Sequence, residues 1–203
     1  MIAFALVSLL ATAPFAVAPA SVVVDTATYR IDVSHSRVIF KIRHFVSKVE
    51  GRFDKWSGTI VTDPNDFSTG SVEVNIEAAT INTNNEGRDR DLRSGNFFLV
   101  DSFPIITFKS TRVEVQGKAI KLIGDLTMRG VTRPVVLAGE YLGREGAIGP
   151  GERIGFDVST TIDRTDWGVK WNRIVEGGGA MLGDDVTIEI TVAGVRPRLR
   201  PAQ

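Results

Sequence analysis

Two-residue alternation around a tight turn constrains this chain more than any other feature, and it is clearest between Ile120 and Leu137. Ile120, Leu122, Leu126 and Met128 fall on one face with Gly124 between them, while Lys121 and Asp125 fall on the other. Successive side chains of a strand point to opposite faces, so this period describes a half-buried strand. Arg129, Gly130, Val131 and Thr132 read as the turn of a hairpin, and a second strand runs on to Leu137.

The same period recurs from Tyr29 onward. Val38, Phe40, Ile42 and His44 share a face; Val72, Val74, Ile76 and Ala78 oppose Glu73, Asn75 and Glu77. Ile106 and Phe108, then Val113 and Val115, then Ile154, Phe156, Val158 and Ile162 continue the pattern, and Val186, Ile188, Ile190 and Val192 end it. Eight or so strands divided by Gly, Pro and Asp turns predict an all-β domain, a closed antiparallel barrel or a sandwich. Strands longer than the usual ~5–6 residues, and Gly124, Gly139 and Gly155 inside them, favour the barrel. Two intervals break the period. Asn82 to Gly95 is polar and predicts a short helix, and Asp166 to Gly179 predicts a loop ending in three glycines.

With 24 basic and 24 acidic residues interleaved over 203 positions, the chain offers no basic surface for a nucleic-acid backbone. The exception is a Pro-punctuated tail, 196–203, carrying Arg196, Arg198 and Arg200. Met1 to Val24 holds no charge, and Ala18-Pro19-Ala20 supplies a small-residue cleavage site, so 1–20 reads as a signal peptide and 21–195 as the domain. A membrane anchor is the rival reading, but Pro14 and Pro19 interrupt a run already short for spanning. The chain has no Cys, which excludes a lipobox anchor, disulfides and thiolate chemistry.

Two His, no Cys and no carboxylates at ligand spacing give no metal signature. No serine sits in a G-x-S-x-G elbow. Asp89, Asp91 and Asp101 have the composition of paired acids, yet Arg88, Arg90 and Arg93 beside them favour a solvated, salt-linked helix. His35 lies in a polar turn and reads as a hydrogen-bonding anchor. His44 is aimed inward, where a buried His is more often a satisfied core residue, although a hollow barrel would let it meet a ligand's polar end. Aromatic side chains gather near turns. They either plug the barrel ends or line a cavity, since an eight-stranded barrel is wide enough to fill itself or to hold one small ligand.

Tyr29 to Phe40, Val49-Glu-Gly-Arg-Phe53, Arg88 to Phe98, Phe103 to Ser110, Gly124 to Val135 and Ile162 to Gly168 occur in an order that resembles the signature blocks of the YceI-like family. Trp167 departs from the Phe more common there. The resemblance implies an extended eight-stranded antiparallel lipocalin-like barrel with a short helix and a Gly-rich loop, exported to the periplasm. It also implies a long-chain amphiphile in the lumen, a polyisoprenoid or isoprenoid quinone, with no other cofactor. On that reading Phe40, Ile42, His44, Val74 and Ile76 line the lumen with Phe108, Leu126, Met128, Phe156 and Ile188. Phe97, Phe98, Trp167 and Trp171 form the mouth, and Arg90 and Arg93 meet the head group. The expected role is binding, storage or transport without a chemical step, with transient membrane proximity and a homodimer both compatible. The alternatives are a lipid isomerase or hydrolase using His44 on the same barrel, and a stress-related structural protein with a filled core.

Overall fold

The structure, a computed structural model, describes residues 26–146, 151–174 and 178–197. The expected signal segment, and the tail beyond Pro197, lie outside the described residues. The strands are β1 (Ala27–Ile31), β2 (Arg37–His44), β3 (Ser47–Phe53), β4 (Trp56–Asp63), β5 (Asp66–Glu77), β6 (Ile81–Asn82), β7 (Ile105–Gln116), β8 (Ala119–Met128), β9 (Val131–Glu145), β10 (Gly151–Asp163) and β11 (Leu182–Pro197). A single α-helix among the described residues, α1 (Glu86–Arg93), follows β6.

Eight strands form a closed antiparallel ring. β1, β4, β5, β7, β8, β9, β10 and β11 pair in that order, and β11 returns to β1 through Arg30 opposite Val195. Closure removes unpaired edges. β11 is long enough to serve two neighbours in succession: its last residues pair with β1, and Leu182 to Thr191 pair with β2. β2 continues into β3 and β6, so this end of the ring carries an extra flap of sheet beside α1. β11 also carries Arg196, which therefore belongs to the barrel wall rather than to the expected tail.

The hairpin of β8 and β9 is tighter than its sequence suggests. Met128 faces Val131, so Val131 and Thr132 are already strand, and the turn is Arg129 and Gly130 alone, with φ of 50° and 72°. Both central residues at positive φ are what a two-residue hairpin requires to match strand twist. The Arg129 guanidinium donates to the carbonyls of Gly95 and Phe97, fastening this turn to the segment after α1.

Several register shifts interrupt the ladders, and those in β7 and β9 show how alternation is reset. In β7, Ser110 faces Gly124 while Arg112 faces Ile123, leaving Thr111 unpaired. Inward positions therefore pass from Ile106 and Phe108 to Val113, a change of parity. In β9, Leu142 is passed over between Tyr141 and Gly143, and it ends up exposed. An extra residue in one strand bends it and increases local twist, which helps a sheet curl shut.

Apolar side chains face inward and charges outward: Glu73 pairs with Lys109 at 2.8 Å and Lys41 with Glu189 at 2.7 Å across neighbouring strands. That is the reverse of a membrane-spanning barrel, whose outer band is apolar. Phe40 and Phe108 lie flat against the wall because the residues beneath them lack side chains. A Cβ on Gly51 would come within 2.3 Å of the Phe40 ring, and one on Gly124 within 2.6 Å of the Phe108 ring. Ring-over-glycine packing keeps a large apolar group out of the bore.

Candidate functional site

The inward faces enclose a cavity of about 490 Å³ to which every ring strand contributes. Its size falls within the ~300–1,000 Å³ usual for small-molecule sites. Along the barrel the lining is aliphatic and aromatic, with Thr62, Ser71 and Thr160 as scattered hydroxyls. Charged and ionisable lining groups gather at the α1 end: His44, Arg88, Asp91 and Arg164.

The far end is shut by aromatic packing. Phe67, Tyr141 and Phe156 contact one another with ring centroids 4.7, 5.5 and 5.4 Å apart. Beyond them Tyr29 is fully buried and its hydroxyl donates to Glu152. Burial, then the hydrogen bond to that carboxylate, pushes the Tyr29 phenol up to about 12. At the start of β2 the His35 ring sits 2.8 Å from Asp32, and hydrogen bonds from Ser34 and then His35 hold that carboxyl down to about 2.

The α1 end is built from polar contacts to backbone. Asn85 caps the helix by accepting from the Arg88 amide. Asp89 is buried and accepts from both the amide and the hydroxyl of Thr83. Arg88 donates to the Thr83 hydroxyl and carbonyl, and Arg93 to the carbonyls of Ala79 and Ile81. These charges are thus spent on the strand–helix junction, not on the solvated salt links expected from their spacing. Asp91 reaches the cavity wall and accepts from Asn96 at 2.9 Å. Gly87 is exposed and also lines the cavity, so the lumen opens beside it.

Arg164 organises the rest of this end. Its side chain is 4% exposed and donates to the carbonyls of Val169, Trp171 and Gly183 and to Asp184 at 2.9 Å. Three carbonyls and one carboxylate around one guanidinium tie residues 164–171 to the start of β11. The 164–183 connection begins as a 3-10 turn, Arg164–Trp167, capped by Asp163, which accepts from Thr165.

Phe40, Ile42, His44, Val74 and Ile76 all line the cavity, as do Phe108, Leu126, Met128, Phe156 and Ile188. Phe97, Phe98 and Trp171 lie at its α1 end, with the Phe97 and Trp171 rings tilted against each other and their centroids 5.4 Å apart. Trp167 does not line it: its indole is buried and donates to the Leu126 carbonyl, pinning the 3-10 turn to β8. Arg93 is turned to the backbone of 79–81, and Arg90 is exposed on α1 without reaching the cavity. The helix presents Arg88 and Asp91 instead. Leu92, the helix's one large apolar residue, carried the signal: it packs on the core, and Arg88, four residues earlier, shares its face. His44 packs edge-on against Phe45 at 4.6 Å.

Compared with known proteins, residues 29–193 match the family profile described as YceI-like domain. A UPF0312 protein of Staphylococcus aureus is 39% identical over 163 residues, spanning 79% of this chain and 93% of the relative. The crystal structure of a Campylobacter jejuni YceI protein superposes with a TM-score of 0.68 at 29% identity, covering 78% of this chain and 91% of that one. A polyisoprenoid-binding domain from Saccharophagus degradans shares the fold alone, with a TM-score of 0.62 at 17% identity, covering 84% of this chain and 99% of that one.

Proposed function

The chain belongs to the YceI-like domain family, and on that premise we propose that its barrel holds a long-chain amphiphile of the polyisoprenoid or isoprenoid-quinone class, without a chemical step. The observation that carries this reading is the cavity itself: it runs from an aromatic plug to a polar mouth, and only the mouth offers charged groups. A tail of repeated branched alkene units fits the apolar bore, and a head group meets Arg88, Asp91 and His44. The ligand class also agrees with that of the Saccharophagus degradans fold neighbour.

Burial of a tail at ~0.8 kcal/mol per methylene sums to tens of kcal/mol against water. That exceeds the ceiling of about 20 kcal/mol on non-covalent affinity, so water is the wrong reference. The competitor is a bilayer, and exchange of hydrocarbon for hydrocarbon leaves selection to bore length and head-group contacts. We propose a periplasmic location, because Met1 to Val24 is uncharged and contains the cleavage-type site Ala18-Pro19-Ala20.

Organic extraction of natively purified protein followed by mass spectrometry is expected to return a prenyl lipid, and prenyl quinones are expected to quench the lumen-lining Trp56 and Trp171. Val74→Trp, which puts an indole into the bore, should weaken quinone binding by about tenfold or more, the scale of an overpacking cost. Repeatedly empty protein that no prenyl quinone quenches would sink the reading.

A further inference from the structure

At the open end the turn between β2 and β3 projects two apolar residues into solvent. Phe45 is 41% exposed and Val46 is 104% exposed. Beside them Ile174, in the 164–183 connection, is 79% exposed. The two tips are joined: the Phe45 amide donates to the Met181 carbonyl at 2.8 Å, Arg43 donates to the carbonyls of Phe45 and Ala180, and Ile174 bridges to Ala180. They form one apolar edge, and His44, Trp171 and Met181 behind it line the lumen.

Basic residues flank this edge. Arg43 and Lys48 face each other across the hairpin, and Lys170 and Arg173 are exposed on the neighbouring connection. Among the described residues none of these four forms an ion pair, while Glu50, further along β3, leans toward Lys41.

We propose that this edge docks on an anionic lipid surface, Phe45, Val46 and Ile174 entering the headgroup layer with Arg43, Lys48, Lys170 and Arg173 over the lipid charges. Three side chains on two loop tips fall far short of the ~800 Å² per partner that a stable protein interface buries. A shallow apolar wedge rimmed by Lys and Arg is what a bilayer interface retains. Docking here would set the lumen mouth against the acyl layer, so a tail could pass between bilayer and barrel without crossing water. The proposal rests on the amphiphile reading and adds the donor surface to it.

The chain has no Cys, so a dye can be placed at single sites of the full-length protein. An environment-sensitive fluorophore on Val46→Cys should brighten and shift to the blue with phosphatidylcholine vesicles containing phosphatidylglycerol, and much less with phosphatidylcholine alone. The same dye on Asn65→Cys, exposed in the turn between β4 and β5 at the opposite end, should stay in water. Both proteins share Met1 to Val24, so anchoring through that segment alone would not separate them. Adding Lys48→Gln and Arg173→Gln should weaken vesicle binding roughly thirtyfold, the loss for two basic groups near an anionic surface.

Equal responses at positions 46 and 65, indifference to the two Gln substitutions, or a vesicle-free shift that grows with protein concentration and so signals self-association would each overturn the docking. Quenching of tryptophan fluorescence by a short-chain quinone in solution is read in parallel, Trp56 and Trp171 both lining the lumen. If it persists while docking fails, the ligand reading stands; if it fails as well, both fall.

Discussion

At one end of the barrel Phe67, Tyr141 and Phe156 close on one another and Tyr29 is buried against Glu152; at the other, Arg88, Arg93, Arg129 and Arg164 donate to main-chain carbonyls. The shut end is stabilised by burial of rings, which has no direction and fills whatever space there is. The open end must keep an aperture in irregular backbone, where unpaired carbonyls would be costly, and planar guanidinium groups satisfy several acceptors at once. Closing a barrel calls for volume, whereas leaving it open calls for hydrogen-bond geometry.

The sharpest break of that contrast is Arg164→Met. It leaves the carbonyls of Val169, Trp171 and Gly183 and the Asp184 carboxylate without their donor, and should cost about 3–5 kcal/mol in denaturant unfolding. Amide exchange should rise first in 164–171 and at the start of β11; uniform exchange across the barrel would contradict a role confined to the open end. Phe156→Ala attacks the shut end and should cost about 3 kcal/mol through the cavity it leaves, with exchange at the α1 end unchanged. Gly51→Ala tests the flap of sheet beside the open end, where the added Cβ would also meet the Thr83 methyl at 2.7 Å. With a Cβ 2.3 Å from its ring, Phe40 must turn into the lumen, at roughly 1–3 kcal/mol, and quinone capacity should fall.

Tyr29 gives the contrast a pH signature. Its folded pKa, about 12, lies above the ordinary phenol value of 10.0, so the folded state holds the proton longer. Its contribution is complete below pH 10, declines above that as the unfolded phenol ionises, and is lost by about pH 12. Alkaline melts of the Tyr29→Phe protein should lack that decline, at the expense of about 1 kcal/mol at neutral pH for the lost hydrogen bond. Smallest of all is Arg90→Ala. Its side chain is exposed and away from the cavity, so stability should move by under ~0.5 kcal/mol and quinone binding should not move; a change in binding would restore Arg90 as a head-group residue.

The bore was legible in the sequence because strand alternation is local. Phe40, Ile42 and His44, or Val186 and Ile188, declare a face within a few residues, and pairing only confirms which way it turns. What the bulges do was not legible, since one extra residue at Thr111 or Leu142 flips parity without a compositional mark. The mouth was harder. A helix as polar as α1 gives little phase information, and only Leu92, its one apolar anchor, marks the face that carries Arg88 to the cavity. Trp167 and Arg164 escaped for another reason: each is aimed at a backbone carbonyl far along the chain, and no local pattern names such a partner.

The split of β11 between β1 and β2 bears on how the chain comes into being. Among the described residues, the ring closes only where the first strand, β1, meets the end of the last, β11. A chain emerging from synthesis in order has most of its hairpins before it can have a barrel, because the staple joining its two ends arrives last. Such non-local closure is slow, so a newly made chain passes through a stage in which its apolar faces are formed into hairpins but not yet sealed.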